Sequence, residues 1–192
     1  MAKNGADLDA LVYLDVDFIS RKYEERFGVD PAQKTAKSEG LSAGISAIFG
    51  KANANVQETR TFSLTSWGMF RALKQSLEEG YGELGKFENY VGTRLGWIQG
   101  SLSIGKWASQ KEGGPVHEFF ELTHSSGYVL LLTQDVYFSA GFAQALASTP
   151  AIKANIKIPV RCLVRAMWRA DNAETLVVCP YVILEESVAQ PA

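Results

Sequence analysis

The tightest constraint on this chain lies near its end. In "IKIPVRCLVRAMWR" and "ETLVVCPYVILEE" the side chains change character at every second residue. Val160, Cys162, Val164, Ala166 and Trp168 alternate with Arg161, Leu163, Arg165, Met167 and Arg169. A period of two belongs to a strand, because successive Cβ atoms leave opposite faces of the backbone. The polar "RADNA" between the two segments supplies a turn, so they predict a β-hairpin. With a two- or four-residue turn, Val177, Cys179, Tyr181 and Ile183 fall on the Cys162 face. Both cysteines are then expected on one apolar face, as small buried thiols of a reduced compartment. A redox pair needs lowered thiol pKa values and exposure, and no neighbouring residue supplies either.

The rest of the chain alternates helix and strand signals. "DALVYLD" reads as a first strand, apolar on both sides. After it, Phe18, Ile19, Tyr23 and Phe27 recur about one helical turn apart, Gly28 suits the C-cap, and Pro31 stops any continuation. A second helix runs through "SWGMFRALKQSLEE", opened by Thr65, with Met69, Phe70, Leu73 and Leu77 as its apolar stripe. From residue 95 strands dominate. "LGWIQGSLSIGKW" puts Ile98, Leu102 and Ile104 on one face, and "VHEFFELTHSSGYVLLLT" reads as a hairpin turning near Ser125, Ser126 and Gly127. Thr133 is placed to cap a helix through "QDVYFSAGFAQALAS", with Pro150 as its stop. Residues 30–62 differ in texture, being rich in Ala, Ser, Gly, Lys and Asn. There Ile45, Ala47 and Phe49 favour a strand over a helix, since Gly and Ser are poor helix interiors, and this is the expected mobile segment. The sum is an α+β fold: an antiparallel-rich sheet with about three helices packed on it. No internal repeat divides the 192 residues, so they read as a single domain, 1–192.

Charge and composition narrow the function classes. The net charge is −2, which argues against a protein that coats nucleic acid by charge alone. The opening "MAKNGADLDALVYLDV" lacks a signal peptide's apolar core, and no run approaches the roughly 18 apolar residues of a spanning helix. These features imply a cytoplasmic protein with no membrane partner. The only two cysteines, Cys162 and Cys179, cannot build a disulfide framework or a cysteine-rich zinc site.

Candidate chemistry centres on Asp15 and Asp17. An apolar strand that ends in Asp-x-Asp resembles the opening of haloacid-dehalogenase-type phosphatases, of nucleotide-polymerising palm domains and of diguanylate cyclases. In those families the carboxylates hold Mg²⁺, which takes phosphate charge. The phosphatases also need a later lysine and a second acidic cluster, and no Asp-Asp pair follows Asp17. The cyclases need a Gly-Gly-acidic-acidic hairpin, where this chain has "THSSGYV". The competing reading is that Asp15 or Asp17 caps the helix that follows. Phosphate loops fail on spacing. "GISAIFGKA" holds five residues between Gly44 and Gly50 instead of four, with Ala52 where a hydroxyl belongs. Gly80, Gly82 and Gly85 fit Gly-x-Gly-x-x-Gly but follow a helix rather than a strand. His124 lies beside Ser125 and Ser126, yet adjacent turn residues rarely reach the geometry of a triad. His117 and His124 have no third metal ligand beside them. No cofactor site is expected.

Arg161, Arg165 and Arg169 recur on one predicted strand face and are the candidate binding residues, since guanidinium groups favour planar anionic partners. Leu163 and Met167 interleave with them. The alternative is an amphipathic face whose arginines reach solvent or glutamates.

The "YLD" of the first strand, the amphipathic helix after it, the small-residue stretch entering "VQETRTFSLTSWGMFRALKQSLEE" and the closing "TLVVCPYVILEE" are similar to a family of uncharacterised bacterial proteins. That resemblance spans most of the chain. It implies a bacterial, non-secreted protein, with stress or phage-defence loci as a setting, and supplies no catalytic residue. The expected function is a non-catalytic binding or regulatory module, with a protein partner or self-association. The alternatives are a Mg²⁺-dependent phosphoryl-transfer enzyme using Asp15 and Asp17, and a structural subunit of a larger assembly.

Overall fold

The computed structural model describes residues 10–28, 64–85, 93–108, 116–125, 127–148, 150–169 and 175–186. The segment 30–62, expected to be mobile and to include a strand, lies outside them.

Local signals set the first elements. Strand β1 (Leu11–Leu14) is buried along its whole length. Helix α1 (Val16–Phe27) starts at Asp15, whose Oδ1 accepts the Phe18 N–H at 2.9 Å, and ends at Gly28, φ 65°, whose N–H donates to the Glu24 carbonyl at 2.8 Å. Helix α2 (Leu64–Gly80) buries Met69, Phe70, Leu73 and Leu77, the stripe the sequence predicts. Strand β2 (Arg94–Ala108) follows, then the hairpin of β3 (Val116–His124) and β4 (Gly127–Leu131).

The next helix is not the continuous one expected. A 3₁₀ turn (Asp135–Tyr137) precedes an extended Phe138, which bridges Tyr13, and the Ser139 N–H donates to the Val12 carbonyl at 2.9 Å. The uncovered edge of β1 thus holds these two residues extended and splits the helix. Ser139, not Thr133, stands at the N-cap of α3 (Ala140–Ser148): its carbonyl accepts from Ala143, and its Oγ from the Phe142 N–H at 3.4 Å. Helix α3 ends at Ser148, ahead of Pro150 as expected, and Pro150 also opens α4 (Pro150–Asn155), because at a first helical position its missing N–H has no partner to lose. Strands β5 (Ile158–Arg169) and β6 (Thr175–Glu185) form the predicted final hairpin.

Pairing is where the fold exceeds the pattern. The sheet order is β1-β6-β4-β3-β2-β5, and β5 pairs back onto β6, so β2 to β6 close into a five-stranded barrel with β1 added beside β6. β2 serves two neighbours: Arg94–Leu102 pair with β5 and Ser101–Ala108 with β3. The β4–β6 pairing is parallel and the other five are antiparallel, so the sheet is mixed. This is the plan of Greek-key barrels of the OB type.

Two apolar clusters follow. Inside the barrel lie Ile98, Leu102, Phe120, Leu122, Val129, Leu131, Val160, Cys162, Val164, Leu176, Val178 and Ile183, with Ala143 and Leu146 of α3 packed against them. A barrel this narrow is filled by side chains rather than by a channel. Outside it, Phe18 and Ile19 of α1 and Phe70, Leu73 and Leu77 of α2 cover Leu11, Leu14, Trp97, Leu163, Tyr181 and Val182. At roughly 1.5–3 kcal/mol for each fully buried large apolar side chain, both layers contribute strongly.

Candidate functional site

The Asp-x-Asp pair sits at the junction of β1 and α1. Asp15 is the cap, as one of the two readings required. Burial pushes its carboxyl above the usual aspartate range, and the Phe18 N–H partly offsets that. Asp17 Oδ2 accepts from the Tyr137 hydroxyl, which ties α1 to the 3₁₀ turn. Both carboxylates therefore hold the fold together. Among the described residues, no three His, Cys, Asp or Glu side chains converge on a point where a metal ion would sit.

The glycines after α2 serve structure as well. The Gly82 carbonyl accepts from the Trp97 N–H at 3.0 Å, and the Leu84 N–H donates to the Trp97 carbonyl at 2.7 Å. Leu84 then enters the barrel cluster. The P-loop-like "GISAIFGKA" lies outside the described residues. His117 and His124 occupy opposite ends of β3; burial lowers the pKa of His124, against the pull of Glu83.

The three arginines do not share one face. Arg161 and Arg165 do, since both alternate with the interior residues Val160, Cys162, Val164 and Ala166. A bulge between Ala166 and Trp168 then shifts the register, and Arg169 pairs with Leu176, whose side chain belongs to the barrel interior. One extra residue in a strand inverts every later side chain. Arg161 is paired through both of its Nη atoms, while its Nε, like those of Arg165 and Arg169, is buried without an acceptor. Its Nη2 lies 2.7 Å from Glu83 Oε1, its Nη1 3.7 Å from Glu78 Oε1, and its guanidinium 4.6 Å from the Trp97 ring centroid.

A second bulge corrects the cysteine reading. Val164 pairs with Pro180, whereas Leu163 pairs with Val182, so Tyr181 is the extra residue on β6. Leu176 and Val178 point into the barrel, and Cys179 stands across from Arg165 on the outer face. Cys162 is buried in the interior, where burial pushes its thiol pKa far up, and Cys179 is half-buried. Of the four β6 residues expected beside Cys162, only Ile183 arrives there.

The sequence reading missed the outer surface of β2, β3 and β4. Its registers put Ser101, Thr123 and Tyr128 in one row, Ser103, Glu121 and Leu130 in a second, and Gly105 with Phe119 in a third. Ser103 Oγ donates to Glu121 Oε1 at 3.1 Å. The Phe119 ring lies over Gly105, where a Cβ would come within 2.5 Å of its Cε2. Tyr128 stays 52% exposed. A signal was present: "EFFE" and "VLLL" are apolar at consecutive positions, so each strand offers an apolar residue to both of its faces.

No family model, curated protein or solved structure matches the chain. Among the described residues, no helix is long and apolar enough to cross a membrane.

Proposed function

We propose that the protein is a binding module without chemistry of its own, and that it presents the outer face of β3 and β4 to a protein partner. The observation that carries this reading is the unequal covering of the barrel. Helices α1 and α2 bury the outside of β1 and β6 together with Trp97 and Leu163, while Tyr128 on β4 is left 52% exposed. Barrels of the OB type bind oligonucleotides and oligosaccharides on the face of their second and third strands, which here are β3 and β4; that analogy of fold supports the face as a binding surface and not the class of its partner. The residues favour protein over nucleic acid. The three rows contain Glu121 and no Lys or Arg, whereas a phosphate backbone is held chiefly by cations. Phe119, Tyr128 and Leu130 supply the aromatic and aliphatic surface typical of protein interfaces. The resemblance to uncharacterised bacterial proteins supports a bacterial, cytoplasmic setting, with stress or phage defence as its context. The competing phosphoryl-transfer reading would have to free Asp15 and Asp17 from the contacts that hold α1.

The test is photo-cross-linking in cells, with a photoreactive phenylalanine at position 128 and, as a reference, at exposed Arg71 on α2. A discrete protein adduct is expected at position 128 and none at 71. Equal adducts at both positions, or none at 128, would contradict the proposal, and the adduct's mass distinguishes a second copy from another protein.

A further inference from the structure

The row that holds Ser103, Glu121 and Leu130 does not stop at β4. Leu130 pairs with Val177 on β6, and Val177 with Trp168 on β5. The chain neighbours Phe120, Leu131 and Val178 face the barrel interior, so this row lies outside. Trp168, which the Met167 bulge turns outward, is 53% exposed at its end. Tyr128, two residues from Leu130 on β4, is 52% exposed beside it. Tryptophan and tyrosine are the side chains that most often anchor an interface.

Charge orients the row. Glu121, beyond Leu130, accepts from Ser103 Oγ and has no cation partner among the described residues. Arg165 stands at the other end, on the outer face of β5, with its strand partner Cys179 two residues beyond Val177. An apolar strip therefore leads from a basic flank to an unmatched carboxylate. Its complement is an apolar segment that carries a base at one end and none at the other.

We propose that this row takes a proline-rich segment of a partner protein in the polyproline-II conformation, with a Lys or Arg reaching Glu121. The inference rests on the binding face proposed above and names what that face takes. Neighbouring strands lie about 4.8 Å apart, so Trp168 and Leu130, with β6 between them, are separated by about 9.6 Å. A polyproline-II helix has three residues per turn and rises about 3.1 Å per residue, so its equivalent side chains recur at about 9.3 Å. Residues i and i+3 then fall on Trp168 and Leu130, and a base one or two residues further on reaches Glu121. Strand addition, the other extended mode, needs a free edge. Along this row β6, β4 and β3 are each paired on both sides. Aromatic surfaces favour a polyproline segment because it is already extended and has little entropy left to lose.

The experiment is an NMR titration of the full chain with a set of short peptides built on Pro-x-x-Pro. Each carries an Arg, a Glu or no charge at successive positions after the second proline. The Trp168 indole N–H, identified by its loss in Trp168→Ala, should move saturably with Arg peptides. Their affinity should fall about tenfold or more in Trp168→Ala and about fivefold in Glu121→Gln. Glu121→Lys should reverse the preference, so that Glu peptides bind better than Arg peptides. Phe27→Ala, at the end of α1, should change nothing. An indole that stays still with every peptide, equal affinity for Arg and Glu peptides, or an Arg preference that survives Glu121→Lys overturns the proposal. If Glu121→Lys does not fold, Glu121→Gln keeps an acceptor for Ser103, and an Arg preference that survives in that variant overturns it equally. A protein adduct from position 128 in cells, with no peptide bound, sinks the polyproline inference and leaves the binding-module reading standing.

Discussion

Asp15 is both the cap of α1 and a charge that the fold half-buries. Its Oδ1 satisfies the Phe18 N–H, and removing an N-cap acceptor costs about 0.5–2 kcal/mol. Burial raises its pKa, so the native state binds the proton more tightly than the unfolded chain does. The sign follows: as pH rises from the ordinary aspartate value through the native one, the unfolded state holds fewer protons, and this group's share of stability falls. Asp15→Asn keeps a capping acceptor and removes the charge. It should retain the helix and lose that fall, whereas Asp15→Ala should be weaker than Asp15→Asn throughout. Urea denaturation across the acid range measures both. A difference between wild type and Asp15→Asn that does not change with pH would contradict the electrostatic part, and equal stability of Asn and Ala variants the capping part. At this scale the sequence was informative: strand, cap and helix adjoin in the chain, so a local pattern names them. It could not choose between Asp15 and Asp17, since the partner that engages Asp17 is Tyr137, 120 residues away.

Elements were legible where their signal is periodic, and misread where one residue breaks the period. The β3–β4 hairpin and the β5–β6 hairpin lie where alternation puts them. Met167 and Tyr181 are the extra residues that move Arg169 and Cys179 off their expected faces; nothing in "VRAMWR" distinguishes a bulge from a regular step, whereas Pro180 in "CPYVI" is a bulge signal, since a proline has no N–H to give a paired strand. Gly96 is a case where packing explains a residue that propensity does not. A Cβ there would stand 2.5 Å from Leu84 Cδ2 and 2.7 Å from the Gly82 carbonyl oxygen. The glycine lets the strap after α2 lie against β2 and send Leu84 into the barrel. Gly96→Ala should therefore destabilise the protein by about 1–3 kcal/mol through overpacking, as read from thermal or urea unfolding. Pairing it with Leu84→Ala should recover part of that loss, because the two changes share one space. An alanine that is neutral on its own would show that the strap does not sit there.

At the scale of the whole molecule, closure decides which surfaces are available. The sequence predicts strands, their faces and the hairpins between neighbours, but the parallel β4–β6 pairing and the pairing of β2 with β5 join residues far apart in the chain, and periodicity carries no information about such partners. Once closed, the barrel has one side covered by α1 and α2 and another on which Tyr128 stays exposed, a difference that could only be found from the structure. Phe27, 45% exposed at the end of α1, and Tyr128, 52% exposed on β4, begin with similar solvent access on different surfaces. Hydroxyl-radical footprinting of the protein in cells and after purification compares them within one molecule. If the β3–β4 face is the working surface, modification of Tyr128 and Phe119 falls in cells relative to purified protein while Phe27 does not change; equal modification of all three in both states would contradict it.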